Sequence, residues 1–432
     1  MASQRPSKKD SGVALFMVVA AMSLLAVLVT EFTYIAQVNS KMAFNSIDQV
    51  KAHALAKSGI KLSLLRLKAY QTLKGLSGSS PDSGGLVPKG LLEKVWSFPF
   101  FYPIPVEVPG LTPAEKDQIK EFTKNSGFEG KFSALIESES SKYNLNSLLA
   151  PFAVQPSQSP SPSPSPSPTA APSPGTSPSP APTFSPEAAQ KSLADYIMQI
   201  LSNRMESDDA FASEYRDYKI DELIDNLIQW VDLTYQRRSA ASATYKPKGG
   251  PFYALSELRM VEMIDDELFD VLAPHFTVSA TPGINVNTIK DLTLRALVPG
   301  MIPEEVTEFF KYRDSTEADN SFKTAEDFFK YLQGNVAAFR NSDSEVQKFK
   351  DSLSARNIRI VTDESHFKIT VKAEVNQSSR LIEAWVILKD PQSNPASPGG
   401  TTGTAAPAPP TTPDGEPAPP DAGLRITSMR FL

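Results

Sequence analysis

The sequence predicts an α+β protein with a long N-terminal helix, a small antiparallel sheet, and a large helical domain inserted between the sheet's early and late strands. Three observations lead there. An apolar run at 13–29, broken only by Ser23, passes straight into a helical pattern that reaches Tyr70. Segments that alternate apolar and polar residues stand on both sides of the remaining chain, at 131–138 and again at 366–375 and 380–389. Between them, apolar residues recur at three- and four-residue steps.

The helix comes first in the chain. Residues 1–12, MASQRPSKKDSG, are polar and made basic by Arg5, Lys8 and Lys9. The run 13–29 covers about 25 Å as a helix, just enough to cross the hydrocarbon core of a bilayer. Positive charge before the run and Glu31 after it place the N-terminus in the cytoplasm and the bulk of the chain across the membrane. A cleaved secretory signal peptide and a plain signal anchor are the competing readings. Against the first, the run is longer than such a core, no A-x-A site follows it, and the helical pattern does not stop. From Thr30 to Tyr70 there is no proline and one glycine, Gly59. The helix is apolar all round in its first half and amphipathic in its second, through Ile47, Val50, Ala54, Ile60, Leu64 and Leu67. From 13 to 70 it is on the order of 85 Å long, and its surface suits side-by-side packing with similar helices.

Further along, GLSGSSPDSGG at 75–85 reads as a loop. Residues 96–108 carry aromatic and β-branched residues among prolines and read as an edge strand or extended segment. KFSALIES at 131–138 reads as a strand. A Ser-Pro repeat at 155–186 reads as unpacked, extended chain. Helices follow at 186–205, 217–233, 254–261, 265–272, 288–297, 303–314, 325–332 and 346–351. The second of these puts Leu223, Ile224, Leu227, Ile228 and Val231 on one face. Two strands joined by a hairpin turn at 376–379 come next. A second Pro/Thr/Ala-rich tract at 391–423 leads to RITSMRFL, which has strand character and stands as a third strand beside them. The resulting division is 1–12 leader, 13–74 spanning helix, 75–154 first part of the α/β domain, 155–186 linker, 187–360 helical insertion, 361–390 closing strands, 391–423 tract, 424–432 final strand.

Composition excludes several function classes. Among 432 residues the formal net charge is -6, which disfavours non-specific coating of nucleic acid or anionic lipid. There is no cysteine, hence no disulfide, thiolate zinc site or cysteine nucleophile. The three histidines, His53, His275 and His366, form no HxxH or HExxH pair. No Walker sequence, dinucleotide glycine pattern or nucleophile motif accompanies the many carboxylates. The chain reads as a non-enzyme with no small-molecule substrate.

The short basic leader ending in glycine, followed at once by an apolar helix, resembles a type IV prepilin leader. Cleavage by a prepilin peptidase between Gly12 and Val13, then methylation of the new N-terminus, is what that resemblance implies. Most pilins carry glutamate as the fifth mature residue, where this chain has Met17; within the class, the K-type minor pseudopilins of type II secretion systems lack it. A carboxylate in the bilayer is costly unless paired, and a subunit at the tip has none ahead of it to pair with. Other segments resemble the K family in the same order: ALIESESSKYNLNSLL at 134–149, LIDNLIQWVDLTY at 223–235, GGPFYALSELRMVEMIDDELFDVLAPHFTV at 249–278, and GINVNTIKDLTLRALVPGM at 283–301. Where that family has glycine, Ser141 stands here.

The resemblance implies a pilin-like fold and a single-pass inner-membrane protein with its bulk in the periplasm. It implies partnership with the I and J minor pseudopilins at the tip of a secretion pseudopilus. It further implies bound calcium, with Glu137, Glu139, Asn144, Asn146, Asp225 and Asp232 as candidate ligands, calcium taking six to eight oxygens. One alternative stays open. Asn285-Val-Asn287-Thr288, a Leu-rich helix, Pro299-Gly300 and a second helix form a helix-hairpin-helix-like module, as in a membrane-anchored DNA-uptake protein or a type IV pilus minor pilin. The acidic start of its second helix, Glu304-Glu305, speaks against phosphate, and no nucleic-acid partner is expected.

Overall fold

The computed structural model describes residues 10–77, 89–106, 112–149, 184–236, 246–315, 319–340, 342–389 and 423–432. Most of the leader, most of the loop at 75–85, nearly all of the Ser-Pro repeat and of the second proline tract lie outside the described residues.

The helix α1 runs Asp10–Ser77, 68 residues, or about 100 Å. No residue between Gly12 and Lys51 is buried. Burial begins at Ala52 and continues through Leu55, Ala56, Ile60, Ser63, Leu67 and Tyr70, one face of a 3.6-residue helix. At Gly59 the helix touches the sheet so closely that a Cβ would stand 2.6 Å from Val371 and 3.0 Å from Phe132. Helix α2 (Lys89–Ser97) packs on α1 through Leu92 and Trp96. The Arg66 guanidinium holds the C-terminal end of α2 by donating to the carbonyls of Val95, Trp96 and Phe98.

The edge strand expected within 96–108 is present but short, and the segment opens on the end of a helix. Trp96 closes α2, its ring 5.0 Å from Phe367 and 6.5 Å from Tyr70, and among the described residues of the segment β1 (Phe100–Tyr102) is the strand. Leu92 and Trp96, four apart on one helical face, decide this by burial. Helix α3 (Pro113–Asn125) was not foreseen; Thr112 and Glu115 form a capping box at its start.

Next in order come β2 (Lys131–Ser138), β3 (Tyr143–Asn144) and α4 (Leu145–Leu149). The helical insertion follows: α5 (Pro186–Ser207), α6 (Asp209–Tyr215), α7 (Ile220–Val231), a 3₁₀ turn at Leu255–Met260, and α8 (Asp266–Leu272). Then come β4 (Phe276–Thr277), β5 (Ile284–Asn285), α9 (Asp291–Leu297), α10 (Pro303–Arg313), α11 (Ala325–Asn335), α12 (Asp343–Ala355) and β6 (Ile360–Val361). The chain closes with β7 (His366–Val375), β8 (Ser378–Leu388) and β9 (Leu424–Phe431). The apolar face expected on α7 is buried at all five positions. The helix expected at 254–261 is the 3₁₀ turn, while the last two helices are longer than expected.

The main sheet has the order β1-β2-β7-β8-β9, antiparallel throughout. β2 and β7 are neighbours although the helical insertion separates them in sequence. The hairpin is tighter than expected: Val375 faces Ser378, and Asn376 takes φ +51°, the left-handed region that a two-residue turn demands and asparagine tolerates. Two apolar cores result. One joins α1, α2 and the inner face of the sheet; the other is the helical insertion, with Phe309, Phe322, Phe328 and Tyr331 at one end and Trp230 stacked on Phe252 at the other.

Candidate functional site

Two regions have geometry that calls for explanation. The first is the bare half of α1. Val13 to Val29 are exposed on every side, and the helix is long and apolar enough to cross a membrane. The hydroxyls in and next to that run bond within the helix: Ser23 donates to Ala20 (2.8 Å), Thr30 to Ala26 (2.8 Å) and Thr33 to Val29 (2.7 Å). A span in hydrocarbon requires this. Apolar exposure does not end with the span. Phe32, Ile35, Met42, Ile47 and Val50 follow at three- to seven-residue steps on the next ~30 Å of helix, and each is at least half exposed. Water is a poor solvent for such a stripe, and exposed apolar patches of this kind mark interaction surfaces.

The second region is a polar joint where the helical insertion leaves and re-enters the sheet. Glu364, just before β7, is fully buried. Its carboxylate accepts from the hydroxyls of Ser138 and Ser140 (the latter 2.9 Å) and from the backbone N–H of Ser365 (3.1 Å) and His366 (3.0 Å). Burial raises the carboxyl's pKa; these hydrogen bonds offset part of that. Beside it, the Ser140 carbonyl accepts from the Asn285 N–H at 2.8 Å, tying the end of β2 to β5. Lys142 donates to Glu139 at 2.8 Å and stands 3.9 Å from Glu137. Thr277 on β4 donates to the other Glu139 oxygen.

These contacts place the expected calcium ligands. Glu137 and Glu139 do come together, but around the Lys142 ammonium. Asn144 donates to the Ser279 carbonyl (2.7 Å), and Asn146 to those of Phe252 (2.8 Å) and Val278 (3.0 Å). The Asn146 oxygen accepts from the Phe252 N–H. Asp225 is buried and accepts from Tyr235 at 2.9 Å; Asp232 closes α7 and accepts from the Thr234 N–H and hydroxyl. Among the described residues no three His, Cys, Asp or Glu side chains converge. Glu137 and Glu139 thus face an internal cation, Asn144, Asn146 and Asp232 hold backbone groups, and Asp225 holds the Tyr235 hydroxyl. Gly12 and Val13 lie in the first turn of α1, exposed, where the leading N–H groups lack helical partners.

The helix-hairpin-helix-like module is committed to internal work. Asn287 donates to the carbonyls of Phe322 and Thr362, both at 2.9 Å, and accepts from the Phe322 N–H. Gly300 takes φ +103° in the hairpin. The N-terminus of α10 is filled by Glu305, which accepts from the N–H of Ile302 (3.1 Å) and Ala337 (2.7 Å). A phosphate would have to displace that carboxylate. The histidines stand apart: His53 packs on Phe431, His366 meets Ser365, and burial with the charges of Lys290 and Lys142 lowers His275 to about 4.

A long helix, bare and apolar at its start and seated on an antiparallel sheet at its end, gives this chain a pilin-like α+β fold. Among solved structures it is similar to a chain of the GspK-GspI-GspJ complex from the enterotoxigenic Escherichia coli type 2 secretion system. The superposition covers 91% of this chain and 99% of that one, at 14% sequence identity and a TM-score of 0.46. No family model matches the sequence, and no curated protein matches it.

Proposed function

We propose that this chain is a K-type minor pseudopilin, anchored in the inner membrane by α1, that sits at the tip of a type II secretion pseudopilus and starts or caps its assembly. The observation that carries the proposal is the apolar stripe on α1 beyond any membrane span. A helix that must be covered both inside the bilayer and for ~30 Å outside it is built to lie against other helices of its kind. The bulk of the helical insertion suits a tip rather than a repeated position along a thin filament. Met17 in place of a carboxylate suits a subunit with none ahead of it. By the same resemblance the partners are the I and J minor pseudopilins, the N-terminus is cytoplasmic before processing, and the rest is periplasmic. The work is assembly rather than catalysis.

Mass spectrometry of the N-terminal peptide, from protein isolated in its own membrane, tests this. A chain beginning at Val13, with or without a methyl group, is expected. A chain that keeps residues 1–12 in a cell with active prepilin peptidase overturns the assignment.

A further inference from the structure

We infer that β9 is a docking edge for an extended segment of a neighbouring subunit, a strand whose side chains alternate apolar and acidic; this rests on the assembly proposed above. The main sheet has two edges. β1 is three residues long and bracketed by Pro99 and Pro103, which blunts it. β9 has eight residues, no proline, and β8 as its sole sheet neighbour among the described residues. Leu432 and Leu381 exchange both backbone hydrogen bonds, at 2.9 and 3.0 Å. By antiparallel alternation, the N–H and C=O groups of Phe431 and Met429 then turn away from β8 into the open edge.

The side chains define what would fit there. Phe431 lies opposite buried Ile382, and Met429 opposite buried Ala384, so both belong to the face that carries α1. Phe431 is 53% exposed beside a groove of about 320 Å³ walled by Val50 and His53 of α1. That groove runs directly into the apolar stripe that assembly would cover. On the opposite face stand Arg425 and Arg430. Neither has an ion pair among the described residues, since Glu383, across from Arg430, is held by Lys368 at 2.6 Å. An incoming strand therefore extends the apolar layer over the groove on one face and sets carboxylates beside the two arginines on the other. A second copy of this chain would bring arginine against arginine, which is unfavourable for directly opposed strands.

The test uses the full chain, co-expressed with the I- and J-type pseudopilins of its own cell and isolated from membranes as a complex. Met429→Pro removes an N–H that β8 does not use, with Met429→Ala as the control for the side chain lost from the core, and Arg425→Glu reverses a charge at an exposed position across from Ile387. Met429→Pro compared with Met429→Ala, and Arg425→Glu compared with wild type, are each expected to leave the thermal unfolding midpoint of the chain unchanged and to lower recovery of the complex at least tenfold. Hydrogen exchange over residues 424–432 is expected to slow at least tenfold when the wild-type chain enters the complex. Variants that assemble like wild type, or exchange that does not change on assembly, overturn the docking edge and leave the pseudopilin assignment standing. A wild-type chain, correctly processed, that recovers neither partner overturns both.

Discussion

Glu364 shows how much one residue can hold. Its carboxyl group gathers donors from β2, from the turn before β7 and from β7 itself, at a fully buried position. Glu364→Ala leaves those donors unpaired, and each costs about 1–3 kcal/mol. A loss of at least about 3 kcal/mol in urea unfolding is expected. The pH dependence follows from the raised carboxyl pKa. The folded state favours the neutral form, so this contribution is complete below the unfolded carboxyl range and is lost as pH rises through the folded pKa. Glu364→Gln, permanently neutral, lacks that slope. The stability of wild type relative to this variant should fall as pH rises above the ordinary glutamate range, about 4.3, and parallel denaturation curves would detect it. Lys142 poses the companion case. It and Glu139 are almost wholly buried as a pair, so Lys142→Met strands a carboxylate and should cost about 3–5 kcal/mol. Replacing Glu139 by leucine in the same chain should recover most of that loss. If the single variant proves as stable as wild type, the pair is not what holds the joint.

At the scale of elements, the seat of α1 on the sheet turns on Gly59. Alanine in a helix gains about 1 kcal/mol over glycine, whereas overpacking costs about 1–3 kcal/mol. The clash should win, because the atom met first belongs to Val371, fully buried and stiff at χ1. Gly59→Ala is expected to destabilise by about 1–2 kcal/mol, and Gly59→Leu by about 3 kcal/mol or more; thermal melts that rise for either variant would refute the close approach. The sequence made α1, β2, β7, β8 and the strand at 424–431 legible, because a long periodic helix and alternating strands announce which face is buried. It hid α2, where Pro88 and Pro99 on either side mimic extended chain, and α3, whose start is defined by the capping box of Thr112 and Glu115 rather than by a buried face. It could not show that Glu137 and Glu139 face Lys142, since an acidic turn reads alike whether its cation is a metal ion or a lysine five or three residues on. Glu364 carried no sequence pattern at all; its importance comes from chain segments that meet only after the insertion has folded.

The whole molecule divides into a half that buries its apolar surface and a half of one helix that does not. Among the described residues, the buried apolar side chains all lie after Lys51 and form two cores, while α1 from Gly12 to Lys51 leaves its large apolar side chains open. Such a division predicts a separation of effects. Ile47→Asp and Val50→Asp alter side chains that touch neither core, so the unfolding midpoint in detergent should move by no more than exposed substitutions usually cause, within about 0.5 kcal/mol. The same changes place a carboxylate in the surface that partner helices are proposed to cover. Desolvating an unpaired charge there is expensive, so recovery of the chain with the I- and J-type pseudopilins should fall by tenfold or more, the equivalent of about 1.4 kcal/mol. Equal losses of folding and assembly would mean that the stripe serves the fold of the single chain. Retention of both would mean that the stripe is not buried in any assembly, and the helix would then be a membrane tether and nothing more.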